Sequence, residues 1–98
     1  MIRHIVLFRF VDSVSASQAN EISAKFEEMA RKVSAVVGFE MGENNSPEGI
    51  ARGFTHGYIL SFEDDEGRLE YLQHDEHRAF QLYVQDLIEP PLAFDFTI

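Results

Sequence analysis

The chain has 98 residues, 45% of them hydrophobic, and 17 acidic against 8 basic side chains give it a formal net charge of -9. The length predicts a single domain spanning residues 1–98, and the negative charge disfavours nucleic-acid and anionic-membrane partners. With no cysteine for disulfides and no apolar run near the ~20 residues that a membrane helix needs, we expect a soluble, cytoplasmic protein.

The segment from Ile2 to Val11 predicts a strand that is apolar on both faces. Alternation divides its larger side chains into two sets, namely Ile2, His4, Val6, Phe8 and Phe10 against Ile5, Leu7 and Val11. A strand of this kind must be covered on both sides. Because so short a chain can hardly supply enough helix for both sides, we expect additional burial against a partner.

A helix is predicted from Ser15 to Ala35. Its apolar side chains recur every three or four residues, at Ala19, Ile22, Phe26, Met29 and Val33. Ser15 followed by Gln18 fits a capping box at the helix start. The segment Val36 to Met41 predicts a second strand, and the turn residues between Gly42 and Gly53 predict a loop.

The second half of the chain predicts a strand, a long helix and a final strand. From Phe54 to Phe62 large side chains, with His56 among them, alternate with smaller or polar ones. An acidic run then indicates a helix start, because carboxylates cap free N–H groups. We expect this helix from about Asp65 to Ile88, with an interruption near His74, and an alternating last strand from Leu92 to Ile98.

The predicted order β-α-β-β-α-β is that of ferredoxin-like α+β domains. It implies one four-stranded antiparallel sheet with two helices on a single face.

Three of the four histidines are expected to converge in this fold. We expect the first and third strands to be parallel central neighbours, which would place His4 and His56 at the same end of the sheet. After the third strand the chain returns along the second helix, and reaching the level of His56 again takes about 13 helical residues at ~1.5 Å each. Counted from the start of this helix, these residues lead to His77. Tyr71 would lie about 9 Å earlier along the helix, and closer if the helix is interrupted.

Four motifs in order resemble the stress-responsive α/β-barrel domain family, known as Dabb. They are residues 4–10 (HIVLFRF), 53–56 (GFTH), 71–77 (YLQHDEH) and 95–96 (DF). The resemblance implies a homodimer in which two four-stranded sheets close into a barrel, and much of the family has no established activity.

The resemblance also implies roles for the pocket residues. By similarity to a plant member that cyclises a linear polyketide by aldol condensation, His77 matches the general base and Tyr71 its aromatic partner. His4 and His56 match supporting histidines that contact the substrate. The chain departs from the family at two places. It has His74-Asp75 where family members often have His-Pro, and Asp95-Phe96 where they often have an Asp-Tyr ending.

Three functions are compatible with these residues. The first is an enzyme in which His77 removes a proton next to a carbonyl, as in aldol cyclisation, isomerisation or decarboxylation, with Tyr71 or a second histidine binding the enolate oxygen. The second is a non-catalytic stress or ligand-binding dimer. The third, a metal site built from three histidines, lacks the usual ligand spacings, so we expect neither a metal nor another cofactor.

Overall fold

The computed structural model describes all residues from 1 to 98. Its elements, in chain order, are β1 Ile2–Phe8, α1 Ala16–Lys32, β2 Gly38–Glu43, β3 His56–Phe62, α2 Asp65–Gln73, α3 Asp75–Val84 and β4 Leu92–Thr97. The four strands form one sheet in the order β2-β3-β1-β4, and every neighbouring pair is antiparallel. The predicted ferredoxin-like sheet is confirmed. No helix has the length and apolar character needed to cross a membrane.

The expectation that β1 and β3 run parallel is wrong. They pair antiparallel, with His4 opposite Leu60 and His56 opposite Phe8. The helix α1 returns the chain so that β1 and β2 run in the same direction, and the direct connection from β2 then reverses β3. The starts of β1 and β3 therefore lie at opposite ends of the sheet.

The core lies between one face of the sheet and the helices. Strand β1 alternates buried and half-buried residues along its whole length, as expected for a strand with one face in the core. Aromatic rings fill this layer: the Phe26 ring stacks on Tyr58 with centroids 4.6 Å apart and lies 4.7 Å from Phe80. Ser23 on α1 and the Tyr58 hydroxyl share a buried hydrogen bond of 2.7 Å, which satisfies two polar groups in the core.

Side chains cap the two predicted helix starts. The Ser15 hydroxyl accepts a hydrogen bond of 3.1 Å from the backbone N–H of Gln18, and the Asp64 carboxylate accepts one of 2.9 Å from the N–H of Gly67. Each bond satisfies one of the free donors in the first helical turn. The capping by Ser15 and by the acidic run is therefore confirmed, although the Gln18 side chain does not return the second bond of a capping box.

A break at His74 divides the second helical segment into α2 and α3. The backbone of His74 is extended, with φ -70° and ψ 140°, and its Nδ1 accepts a hydrogen bond of 3.1 Å from the N–H of Glu76. His74 is thus the cap of α3. The interruption predicted near His74 is confirmed, and it gives three helices where two were expected.

The other face of the sheet carries no helix, and we call it the open face. Strand registers place on it the side chains of Arg3, Ile5, Leu7, Glu40, Ile59, Ser61, Leu92, Phe94 and Phe96, together with three glycines. Phe94 is 60% exposed and Phe96 is 43% exposed. The second apolar face predicted for β1 therefore belongs to a largely apolar surface of the single chain.

Candidate active site

A small cavity lies between the sheet and the helices α2 and α3. It has a volume of about 240 Å³, and most of its lining is apolar. Three predicted site residues line it: His4 from β1, Tyr71 from α2 and His77 from α3. The structure thus brings these three side chains together, as the sequence predicted.

His77 is held with one ring nitrogen facing a backbone carbonyl. Its Nδ1 donates a hydrogen bond of 3.3 Å to the carbonyl oxygen of Leu72. Because a carbonyl can only accept, Nδ1 carries the hydrogen and the neutral ring keeps its lone pair on Nε2. Burial lowers the pKa of His77 below the ordinary 6.5; the Leu72 hydrogen bond opposes this shift, and the charge of His4 adds to it. At neutral pH the ring is therefore an unprotonated base.

Tyr71 packs directly against His77. The two ring centroids are 4.3 Å apart, and Tyr71 also lies 5.3 Å from Phe62 on β3. Only 1% of Tyr71 is exposed, and this burial raises the pKa of its hydroxyl well above the ordinary value. The phenol therefore stays neutral and can donate a hydrogen bond to an oxygen that becomes negative.

The break at His74 makes this pairing possible. A straight helix would separate Tyr71 and His77 by about 9 Å along its axis, at ~1.5 Å per residue. The extended backbone of His74 redirects the chain between them, so that the rings meet. The sequence predicted that a break in the helix would bring Tyr71 and His77 closer together, and this prediction is confirmed.

His4 is fixed by a charged network from the sheet and α2. Its Nδ1 lies 2.7 Å from Oδ1 of Asp95, and Arg68 donates a hydrogen bond of 3.0 Å to Oδ2 of the same carboxylate. An ionised carboxylate can only accept, so His4 Nδ1 carries a hydrogen and Nε2 is left for the cavity. The His4 ring also lies 6.0 Å from the Tyr71 ring.

His56 does not belong to this cluster. It shares the helical face with His4, but it lies four residues away along the register, about 13 Å at ~3.3 Å per residue. There it packs edge-on against Phe10 at 5.0 Å, its Nδ1 lies 2.8 Å from the Thr55 hydroxyl, and its Nε2 lies 3.8 Å from the Glu43 carboxylate. The predicted convergence of three histidines is wrong, because β1 and β3 run antiparallel.

Two larger depressions lie near His56. One, of about 390 Å³, opens on the open face beside Ile5, Leu7 and Ile59, and the other, of about 700 Å³, lies near the start of α1. Both are wide open to solvent and neither contains Tyr71 or His77. We therefore place the candidate site in the smaller cavity, where the titratable groups converge, rather than in the larger spaces.

Sequence reasoning missed Asp95 and Arg68 as members of the site. A signal for Asp95 was present, because it is the one charged residue in the apolar strand β4. In the alternation of this strand its side chain points to the face opposite to that of Phe94 and Phe96. Asp95 therefore lies on the helical face, opposite His4 in the register. Arg68 gave no such signal, since an arginine near a helix start most often faces solvent.

A family model described as the stress responsive A/B barrel domain (Dabb) matches residues 2–98. The chain belongs to this family. Among proteins of known name, it is 25% identical over 95 residues to stress-response A/B barrel domain-containing protein HS1 of Arabidopsis thaliana, covering 97% of this chain and 87% of that protein. It is also 23% identical over 96 residues to olivetolic acid cyclase of Cannabis sativa, covering 98% and 95% of the two chains.

Several solved structures share the fold of this chain. A hydroxynitrile lyase from Passiflora edulis superposes with a TM-score of 0.90 at 23% identity, over 99% of this chain and 92% of that one. A dimeric ferredoxin-like protein of unknown function from Thermobifida fusca superposes with a TM-score of 0.81 at 22% identity, over 99% and 90%. At these identities the likeness shows the fold alone.

Proposed function

We propose that this Dabb protein is a homodimeric proton-transfer enzyme that acts on a small apolar carbonyl compound in the His4–Tyr71–His77 cavity. The observation that carries the proposal is the Nδ1–H donation from His77 to Leu72, which leaves Nε2 as an unprotonated base inside a largely apolar cavity. Aldol-type cyclisation and isomerisation both begin with the proton abstraction that such a base performs.

The proposed first step is removal of a proton from the carbon next to the carbonyl. Nε2 of His77 takes the proton, the C–H electron pair forms a carbon–carbon double bond, and the carbonyl π pair moves onto oxygen. The resulting enolate oxygen accepts a hydrogen bond from the Tyr71 hydroxyl, or from Nε2 of His4 when that ring is protonated beside Asp95. The His77 imidazolium then returns the proton to another position of the substrate, or the enolate attacks a second carbonyl.

Cavity size limits the substrate. At about 240 Å³ the cavity is smaller than the ~300–1,000 Å³ typical of ligand pockets. A compact substrate therefore fits better than a long polyketide chain unless the cavity opens. Apolar neighbours such as Val6, Phe8 and Phe80 favour an uncharged molecule, and they strengthen electrostatic interactions by excluding water.

Two relatives support chemistry on this fold without defining the reaction. One is named a cyclase and the other a hydroxynitrile lyase. That the fold carries enzymes of two kinds favours a shared acid-base apparatus with different substrates, so we do not transfer either activity as such. Cytoplasmic location stays a prediction from the sequence.

Hydrogen–deuterium exchange tests the proposed step without knowledge of the substrate. Small apolar ketones are incubated with the protein in D₂O, and loss of the proton signals next to the carbonyl is followed by NMR. We expect His77→Gln to lower the protein-dependent rate about 100-fold or more, because a positioned base contributes ~10²–10⁴-fold. His56→Gln, the same change outside the cavity, is the matched control and should keep the wild-type rate.

The result is interpretable only if both variants fold. Circular dichroism and the oligomeric state should match the wild type. An unchanged exchange rate in folded His77→Gln, with a ketone that the wild type clearly exchanges, would remove His77 from the role of base.

A second candidate function is a ligand-binding or stress-response dimer without catalysis. The deep burial of Tyr71 favours it, because a ring that is 1% exposed and packed on Phe62 also serves the core. This function predicts that ketones shift the NMR signals of His4 and His77 without any isotope exchange. Exchange that depends on His77 would reject it.

The homodimer in the proposal is supported by the open face. This surface exposes Leu92, Phe94 and Phe96 on one edge strand, and an exposed apolar patch of this kind is typical of an interface. Dimeric proteins occur among the structural neighbours with the same fold. A second copy placed on this face would cover the apolar side of β1.

A further inference from the structure

A row of charged side chains leads from the surface of α2 to the cavity. Arg68 donates a hydrogen bond of 3.0 Å to Oδ2 of Asp95, and the other carboxylate oxygen, Oδ1, lies 2.7 Å from Nδ1 of His4. The three residues belong to α2, β4 and β1. One carboxylate is thus shared between a permanent cation and a ring that gains or loses its charge with pH.

Exposure decreases along this row of side chains. The Arg68 side chain is 30% exposed, that of Asp95 25% and that of His4 11%. Charges that are partly removed from water influence one another more strongly than charges on an open surface, because less solvent screens them. The charge of Arg68 therefore influences His4 through the carboxylate that the two residues share.

The other neighbours of His4 carry no charge that would outweigh Asp95. On β3 the register places Leu60 opposite His4. Tyr71 on α2 has its ring centroid 6.0 Å from that of His4, and burial keeps its hydroxyl neutral by raising its pKa. Burial lowers the pKa of His77 on α3, and the charge of His4 adds to this shift. The charge of His4 thus depends on Asp95, and it acts in turn on His77.

Arg68 and His4 compete for the negative charge of Asp95. A carboxylate at hydrogen-bond distance favours the protonated form of a histidine. A cation on the same carboxylate opposes this effect, because it offsets part of the negative charge and repels a second positive one. Arg68 also lies 3.1 Å from Asp65, but that carboxylate is 84% exposed and its effect is screened by water. The contact with Asp95 is therefore the one that connects Arg68 with the site.

We propose that Arg68 is a positioning residue of the site, which acts through Asp95 to limit the positive charge of His4 so that this ring can lose a proton as well as hold one. This inference rests on the proposed proton-transfer function and adds a residue outside the cavity. A ring that can become neutral suits an uncharged substrate, because a permanent cation in an apolar cavity retains water. When protonated, the same ring offers the enolate oxygen a donor at Nε2.

Histidine NMR tests the effect of Arg68 on His4 without a substrate. The ring signals of His4 are followed across pH in the wild type, in Arg68→Gln and in Arg68→Lys. Glutamine retains an N–H donor for Oδ2 of Asp95 but removes the charge, so the pH at which His4 is half protonated should rise by roughly half a unit. Lysine retains the charge, and the midpoint should stay within about 0.2 units of the wild type.

Arg78→Gln is the matched control for the loss of charge. Arg78 pairs with Asp75 at 3.3 Å, three residues earlier on its helix, just as Arg68 pairs with Asp65 at 3.1 Å. The control removes the same charge and the same kind of helical ion pair, and it should leave the His4 midpoint unchanged. An equal rise in Arg78→Gln and Arg68→Gln would overturn the role of the shared carboxylate. So would an unchanged midpoint in folded Arg68→Gln.

The pH profile of ketone exchange is the second readout, which a merely structural role of Arg68 would not move. If protonated His4 supplies the hydrogen bond to the enolate, the alkaline limb of the profile should shift upward in Arg68→Gln together with the His4 midpoint. A raised midpoint with an unmoved limb would overturn the link between Arg68 and the reaction. A wild type that exchanges no ketone would reject the proposed function, whereas the NMR titration would still decide whether Arg68 controls His4.

Discussion

At the scale of single residues, the chemistry of the cavity depends on which ring nitrogen carries hydrogen. The carbonyl of Leu72 determines this for His77, and the carboxylate of Asp95 does so for His4. Both partners can only accept, so Nδ1 carries hydrogen in both rings, and whenever a ring is neutral its lone pair is on Nε2. Two histidines with the same tautomer line one cavity, although their partners come from a helix end in one case and an edge strand in the other.

The Asp95 carboxylate can be tested through the His4 tautomer. In Asp95→Asn the side chain loses its charge and can present an N–H where it presented only acceptors. We expect the imidazole ¹⁵N shifts of His4 to report a mixture of tautomers and the ketone exchange rate to fall about tenfold. Unchanged ¹⁵N shifts would show that Asp95 does not hold the ring.

The lowered pKa of His77 predicts how stability depends on pH. Above pH 6.5 the ring is neutral in both the folded and the unfolded chain; below it the unfolded chain binds the proton first, because burial disfavours the charged ring in the fold. The free energy of unfolding should therefore fall as the pH drops from 6.5 to the folded pKa. Urea unfolding should show this loss of stability in the wild type and a smaller loss in His77→Gln. The contribution of His77 is at most about 1.4 kcal/mol for each unit by which its pKa differs between the folded and the unfolded chain.

At the scale of elements, the sequence predicted which segments form strands and helices, because alternation and helical periodicity are local. The segment expected from Ser15 to Ala35 forms α1 from Ala16 to Lys32, and the break near His74 is found. Strand direction is not local. It follows from how α1 and the β2–β3 connection return the chain. Because β1 and β3 were expected to run parallel, His56 was predicted level with His4, whereas it lies about four residues away along the sheet.

The start of α3 offers a test of the His74 break. Asp75 is the first helical residue, where the backbone N–H needs no helical partner, and His74 before it already has the extended backbone that proline requires. Asp75→Pro should therefore stabilise the fold by about 0.4–1 kcal/mol by restricting the unfolded chain. The thermal unfolding temperature should rise by a few degrees.

The neighbouring position is the matched control. Glu76 donates its N–H to His74 Nδ1, and proline there removes that bond. Glu76→Pro should lower the unfolding temperature, whereas Asp75→Pro should raise it. If both variants lose stability, the cap at His74 does not account for the helix start.

At the scale of the whole molecule, one sheet separates two different surfaces. The helical face carries the cavity and its histidines, and the open face carries apolar residues with one cation and one anion. The sequence predicted that β1 needs cover on both sides. It could not show that Arg3 and Glu40 share the open face, because that follows from the pairing of β2 with β3 and of β3 with β1.

The apolar part of the open face predicts that stability depends on protein concentration. Phe94 is 60% exposed, so covering its ring removes on the order of 100 Å² of apolar surface from water, worth about 2.5 kcal/mol at ~25 cal/mol per Å². Phe94→Ala loses this contribution twice in a two-fold dimer and should weaken association at least a hundredfold. Sedimentation measures the shift, and the thermal unfolding temperature of the wild type should rise with concentration.

Leu82 provides the control for this prediction. It is 69% exposed on α3, away from the open face, so Leu82→Ala removes an exposed apolar side chain without touching the proposed interface. We expect its dissociation constant to match the wild type. Equal weakening by Leu82→Ala and Phe94→Ala would indicate that a helical surface contributes to the dimer. No weakening by Phe94→Ala would mean that the two copies do not meet through the open face, since an isologous contact there buries this ring in both copies.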